Sequence, residues 1–251
     1  MKLNSSNYFS NEASQEYFSV SQYKSFCKCE ACALAEIRGE TKTEPSNAML
    51  VSSYVDAYFS KELEMFKAEN PRIFTNKGTL RSEFSKAEQI IKRIESDKFF
   101  SECLAGSSQT IMTGELFGYK WKIKVDSLHD DKIVDLKCMR DFEDIYVDGQ
   151  GRLPWFVAWG YDVQGAVYQE IVRQNTGKKL PFIIAAATKE TVTDIDVIHL
   201  PDAMLEDALK IVEARIDRFA EIKEGLTVPV RCEKCNYCKE TKVIRGFKEV
   251  D

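Results

Sequence analysis

One short stretch restricts the fold more than any other. In Gly118–Cys138 (GYKWKIKVDSLHDDKIVDLKC), Trp121, Ile123 and Val125 alternate with Lys122, Lys124 and Asp126. Successive side chains of a strand point to opposite faces, so the pattern predicts a half-buried strand over Lys120–Leu128. A turn at Asp130–Asp131 leads into a second, more apolar strand over Lys132–Cys138, and the two are expected to form a hairpin.

Helical periodicity surrounds that hairpin. Ser19 or Ser21 caps a helix running to about Gly39, Ser46 caps another over Asn47–Ala68, and a third spans Arg81–Leu104. Beyond a loop with Gly149, Gly151 and Pro154, a helix is predicted over Trp155–Gln174, with Gly177 past its end. Strands over Pro181–Thr188 and Val192–His199 follow, then a helix over Asp202–Glu224 closed by Gly225. The expectation is one α/β domain, residues 1–251. It has a helical part (1–105), an α/β core with a mixed, helix-flanked sheet (106–225) and a Cys-rich tail packing back on the N-terminus (226–251).

Composition narrows the functional classes. With 251 residues, 44% hydrophobic and 30% charged, the chain is neither disordered nor fibrous. Two histidines, His129 and His199, argue against chemistry built on several imidazoles. The longest apolar run, about Pro181–Ala187, falls far short of the roughly 18 residues a membrane-spanning helix needs, so no membrane partner is expected. MKLNSSNYFS at the start lacks an apolar signal core, and a cytoplasmic location is expected. A net charge of −5 does not by itself suggest a nucleic-acid binder, yet a local basic channel can sit on an acidic body.

The chemistry concentrates in the hairpin. Asp135 and Lys137, two apart, share a strand face, and pairing through the Asp130–Asp131 turn would bring Asp126 beside them. Adjacent carboxylates repel unless a cation neutralises them, which makes a site for Mg²⁺ or Mn²⁺. A lysine alongside can hold the attacking water and offset charge building on a phosphate. Ile133, Val134 and Leu136 around the pair imply a buried strand carrying costly charges; the alternative is a set of ordinary surface strand charges.

These residues resemble the PD-(D/E)XK nuclease superfamily, specifically its RecB-like, exodeoxyribonuclease VIII-like branch common in phage recombination modules. That branch has an aspartate ending one strand, Asp/Glu-x-Lys on the next, then a Gln-x-x-x-Tyr helix: here Asp126, Asp135-Leu136-Lys137, and Gln164 with Tyr168. The resemblance implies a restriction-endonuclease-like core. Asp126, Asp135 and the Leu136 carbonyl would hold Mg²⁺, Lys137 would position water, and Gln164 and Tyr168 would orient the DNA strand. Where the family places a histidine on an early helix, Asp56 stands here. Glu115 is a second candidate for that ligand.

Eight cysteines remain, six of them in two clusters: Cys27, Cys29, Cys32 and Cys232, Cys235, Cys238. In a reducing compartment such clusters suit soft metals. The segment from Ser19 to Glu30 resembles the opening of RecB-family nucleases with an iron–sulfur staple, with Glu30 where proline is usual. That implies a 4Fe–4S cluster on Cys29, Cys232, Cys235 and Cys238, closing a loop of about two hundred residues. Relatives leave a longer gap before the last cysteine. Structural Zn²⁺ is the alternative, plain thiols the third, and Cys32 could replace Cys29.

The implied activity is metal-dependent hydrolysis of DNA phosphodiesters, as an exonuclease resecting duplex DNA in phage or prophage recombination beside a single-strand annealing protein. Lys120, Lys122 and Lys124, with Arg231, Lys239, Lys242 and Arg245, are candidate phosphate contacts. A structure-specific endonuclease would need the same residues, and an inactive DNA-binding or adaptor module would share the fold.

Overall fold

The computed structural model describes residues 1–42, 44–244 and 246–247; Arg245 lies outside them. Three short helices come first: α1 (Asn11–Glu16), α2 (Val20–Lys28) and α3 (Glu30–Arg38). Then follow α4 (Asn47–Phe59), α5 (Leu63–Glu69), α6 (Ser82–Glu95) and α7 (Lys98–Cys103). Next are strands β1 (Ser107–Leu116), β2 (Tyr119–Leu128) and β3 (Ile133–Met139), and a small hairpin of β4 (Ile145–Val147) and β5 (Gly151–Leu153). The chain continues through α8 (Trp155–Ala158), α9 (Tyr161–Thr176), β6 (Phe182–Thr188), β7 (Ile195–Leu200), α10 (Asp202–Glu224) and α11 (Asn236–Glu240). Five strands form one sheet ordered β1-β2-β3-β6-β7, with β3 and β6 parallel and the β2–β3 and β6–β7 pairs antiparallel. This is a restriction-endonuclease-like α/β fold. No helix among the described residues is long and apolar enough to cross a membrane.

Each long helix expected before residue 180 is interrupted. Cys29 is extended (φ −164°, ψ 106°) and separates α2 from α3. Lys61 takes a left-handed conformation (φ 63°) between α4 and α5. Asp97 ends one run and caps the next, accepting the Phe100 N–H at 2.9 Å. Gly160 (φ 65°) does the same work before α9 without a side chain. Apolar periodicity runs across such breaks because both halves bury against one core, so only the capping residue betrays them. The predicted caps Ser19 and Ser46 accept the Gln22 and Met49 N–H groups. Where a plain loop was expected after β3, β4 and β5 pair.

The chain packs as two compact units, divided elsewhere than at 105 and 225. The first comprises Met1–Thr43, Glu115–Trp121 and Val212–Asp251; the second, Glu44–Gly114 and Lys122–Ile211. Aromatic residues explain the first grouping. Trp121, fully buried, packs on Phe18 and Tyr23, while Phe26 stacks on Phe219 of α10 with centroids 5.0 Å apart. Lys223 ties α10 down, donating to the carbonyls of Ser14 and Tyr17 and lying 4.0 Å from the Phe18 ring centre.

In the second unit the parallel strands β3 and β6 are buried, and α4 and α6 cover them. Leu50, Val51, Tyr54 and Val55 of α4 and Ile90, Ile91 and Ile94 of α6 pack with Val134, Leu136, Ala185 and Ala187. Elsewhere in this unit, α9 approaches β6 closely at Gly165. A Cβ there would stand 2.7 Å from the Phe182 ring and 3.0 Å from Leu205, both buried. At an exposed helix position Gly→Ala stabilises by about 1 kcal/mol, but overpacking a filled core costs about 1–3 kcal/mol. The clash wins here. Gly165→Ala should lower Tm by roughly 3–8 °C in thermal denaturation; an unchanged or raised Tm would show that α9 has slack.

Candidate active site and thiol cluster

The hairpin builds a pocket by coming apart. Near the turn β2 and β3 pair normally, Ser127 with Val134 and Leu128 with Ile133. Farther along, the Leu136 N–H donates at 2.9 Å to Asp126 Oδ2, a side chain standing in for a strand carbonyl. Asp56 of α4 and Tyr161 of α9 reach the same cavity, about 260 Å³ in volume, which Asp126, Leu136 and Lys137 also line. Behind them Asp135 is almost completely buried, 1% exposed. Its Oδ1 accepts the Gln164 Nε2–H at 2.7 Å, and its Oδ2 is ion-paired with Lys137 Nζ. The Lys137 ammonium also lies 5.1 Å from the Tyr161 ring centre, within cation–π range.

Burial sets the electrostatics. It pushes the Asp126 carboxyl well above the usual range; Asp135 and Asp56 add to this, while Lys137 and the Leu136 N–H oppose it. Asp56 is raised for the same first reason, against Lys137 and Lys124. Burial alone would lower Lys137, but Asp135 and Asp126 outweigh it and hold the ammonium firmly charged. Three carboxyl groups beside one ammonium repel one another when ionised, a strain that protonation or a bound cation relieves. Hard oxygens of Asp56 and Asp126 line the cavity with Leu136, and Asp135 lies behind them; such oxygens could hold Mg²⁺ or Mn²⁺. They do not close into a tight cage, as a cation retaining several waters requires.

The other expected residues fall differently. Tyr168 donates to the Lys124 carbonyl at 3.2 Å and packs edge-on to Phe182, holding β2 to α9. Gln164 is occupied by Asp135, so both members of the motif contact protein groups of the site. Glu115 is exposed on β1 near Lys120 and does not line the pocket. Lys122 was expected on an exposed basic face; instead it is buried, and burial pushes its amine down to about 8. Lys120 is exposed and pairs with Glu16 at 3.0 Å, and Lys124 is half-buried.

Two participants escaped the sequence reading. Gln109 donates to Asp56 Oδ1 at 3.4 Å from a left-handed backbone (φ 51°), which no local pattern signals. Tyr161 directly follows Gly160 at the start of α9, a boundary the glycine could have marked.

The thiols gather within the first unit. Cys29 sits at the α2–α3 break; Cys232, Cys235 and Cys238 lie in the tail. Sulfur separations are 3.6 Å (Cys29–Cys238), 3.9 Å (Cys29–Cys235) and 4.0 Å (Cys232–Cys238). Among the described residues, these four are the one group of metal-binding side chains whose ligand atoms all lie within 4.8 Å, an arrangement compatible with a metal site. The Lys234 and Cys235 N–H groups donate to Cys232 Sγ and push its thiol down to about 6. Cys32 packs against the group, with burial pushing its thiol up to about 12. Glu30 anchors the tail here: it takes a bidentate ion pair from Arg218 (2.7 and 2.8 Å) and accepts the Val230 N–H at 2.7 Å.

The chain matches the model of a family described as a PDDEXK-like domain of unknown function (DUF3799) over residues 19–241. No curated protein matches it. Among solved structures, a crystal structure of a protein named "Putative exonuclease", from Eubacterium rectale, shares 49% identity. It superposes with a TM-score of 0.97, over 99% of this chain and 97% of that one. With a family match that takes in the carboxylate pocket and all four clustered thiols, the chain belongs to the PDDEXK-like family DUF3799.

Proposed function

We propose that the chain is a metal-dependent deoxyribonuclease, working as an exonuclease that resects duplex DNA. The observation that carries this is the gathering of Asp56, Asp126 and Asp135 around Lys137 where the hairpin opens. Asp126, Asp135 and the Leu136 carbonyl would hold Mg²⁺ or Mn²⁺, with Asp56 in the place of the upstream histidine. A cation bound there supplies positive charge for the phosphoryl oxygens and eases deprotonation of water. Lys137, fixed between Asp135 and the Tyr161 ring, positions that water and offsets charge on the phosphate. Gln164 fixes the plane of the Asp135 carboxylate, and Tyr168 fixes the strand that carries Asp126. Glu115 has no part in this scheme.

Exonuclease action is supported by the name of the 49%-identical relative. Work in phage or prophage recombination, beside a single-strand annealing protein, follows from the RecB-like resemblance. The decisive assay offers linear and closed circular duplex DNA with Mg²⁺ to the wild type and to Lys137→Ala. Linear DNA should be degraded and circles spared, and the substitution should cost at least about 100-fold in rate. Cutting of circles, lost in the variant, would make the protein an endonuclease; an inert, folded wild type would remove the nuclease assignment.

The same charges should cost the metal-free fold stability. Asn at 126 keeps an oxygen for the Leu136 N–H and removes one repelling carboxylate. In chelator, Asp126→Asn should therefore raise Tm by a few degrees, the equivalent of about 1–2 kcal/mol. The sign with pH follows from the raised carboxyl. Wild type and variant are alike at low pH, where Asp126 is protonated in both folded and unfolded chains. The gap opens as pH rises through the ordinary aspartate range towards the raised folded value. Mg²⁺ should raise the Tm of wild type more than that of the variant. A variant less stable than wild type at every pH would mean that the carboxylate is structural.

A further inference from the structure

We infer that Cys29, Cys232, Cys235 and Cys238 hold one tetrahedral Zn²⁺ ion, and that they do not fit the 4Fe–4S cluster the RecB-like resemblance implies. The sulfur separations decide it. Four thiolates about one zinc, each about 2.3 Å from it, stand about 3.8 Å from one another. The separations here are 3.6, 3.9 and 4.0 Å, and no pair among the four exceeds 4.8 Å. A cubane binds each thiolate to a different iron, at a different corner of a body that already contains four irons and four sulfides. Its ligands are held apart by the width of that body, so it cannot sit among sulfurs this close.

The local chain explains why they are close. Cys235 caps α11 with its own side chain, accepting the Cys238 N–H at 3.4 Å, so the last two ligands lie within a single turn. Ala31, Cys32 and Tyr237 pack against the four residues. The roomy cavity in this unit, about 420 Å³, is lined by none of the four thiols. Donated N–H groups from Lys234, Cys235 and Cys238, and the Arg231 guanidinium on the Cys238 carbonyl at 2.6 Å, offset the charge of four thiolates. Zinc has no redox chemistry of its own, so the ion serves as a staple between positions 209 residues apart.

The test uses the full chain, purified with and without oxygen and washed free of loosely held metal, and it needs no nuclease activity. Elemental and sulfide analysis should find one zinc per chain, negligible iron and no acid-labile sulfide, in a colourless protein. Exchange for Co²⁺ should give the intense visible bands of a tetrahedral cobalt thiolate. Cys32→Ser should keep the zinc, whereas Cys232→Ser should lose it with a fall in Tm. A brown protein with iron and sulfide in equal amounts would overturn the inference, as would a folded chain with no metal at all. Loss of zinc from a folded Cys32→Ser variant would overturn the choice of Cys29. Should Cys232→Ser fail to fold, the metal content and cobalt spectrum of the wild type decide alone.

Discussion

The hydrogen bond from the Leu136 N–H to the Asp126 carboxylate is the pivot of the carboxylate pocket. A strand amide must find an acceptor, and a side chain that supplies one lets the hairpin open without leaving a buried donor orphaned. Leu136 and Lys137 line the cavity beside that opening. In the proposed mechanism Asp126 therefore has two tasks: one oxygen holds the Leu136 N–H, and the rest of its charge would bind the cation. Few other side chains could combine them: asparagine keeps the first and loses the second.

Around that pivot, each charged group is oriented by something uncharged. Gln164 holds Asp135, the Tyr161 ring faces Lys137, Gln109 touches Asp56, and Tyr168 grips the backbone two residues before Asp126. Such supports matter because phosphoryl transfer relies on positioning and electrostatics, which a loose site cannot supply. Those on α9 come from a helix packed closely on the sheet. The glycine at 165 lets α9 lie almost on Phe182, next to the residue that grips Asp135.

The strand pair was legible because period-2 alternation is a strong local signal, its carboxylates because Asp126, Asp135-Leu136-Lys137 and Gln164 with Tyr168 resemble a family in order, and α10 emerged at its full length from an unbroken apolar stripe. The helix breaks were not, since a continuous stripe hides a change of direction when both halves face one core. Nor was the division into units. Its cause is tertiary: Trp121 buries against Phe18 and Tyr23, residues about a hundred positions earlier, and no local pattern announces such a partner. Lys122 misled for a related reason. Alternation assigns two faces to a strand, but says nothing about which face is wet.

Glu30 shows how a departure from a family pattern can be read. Where relatives resembling this chain have proline, the glutamate pairs with Arg218 and accepts the Val230 amide, bringing the tail to the start of α3 next to Cys29. The tail is thus positioned by an ion pair and hydrogen bonds before any metal is considered, and the thiols need only close on an ion. This also separates the two metal chemistries of the chain. Soft thiolates at close spacing suit zinc, while an open set of hard oxygens suits the hydrated magnesium that the proposed hydrolysis would use. The thiolates disfavour magnesium, so the proposed catalytic metal, which must exchange, and a structural one that must not could coexist in one polypeptide.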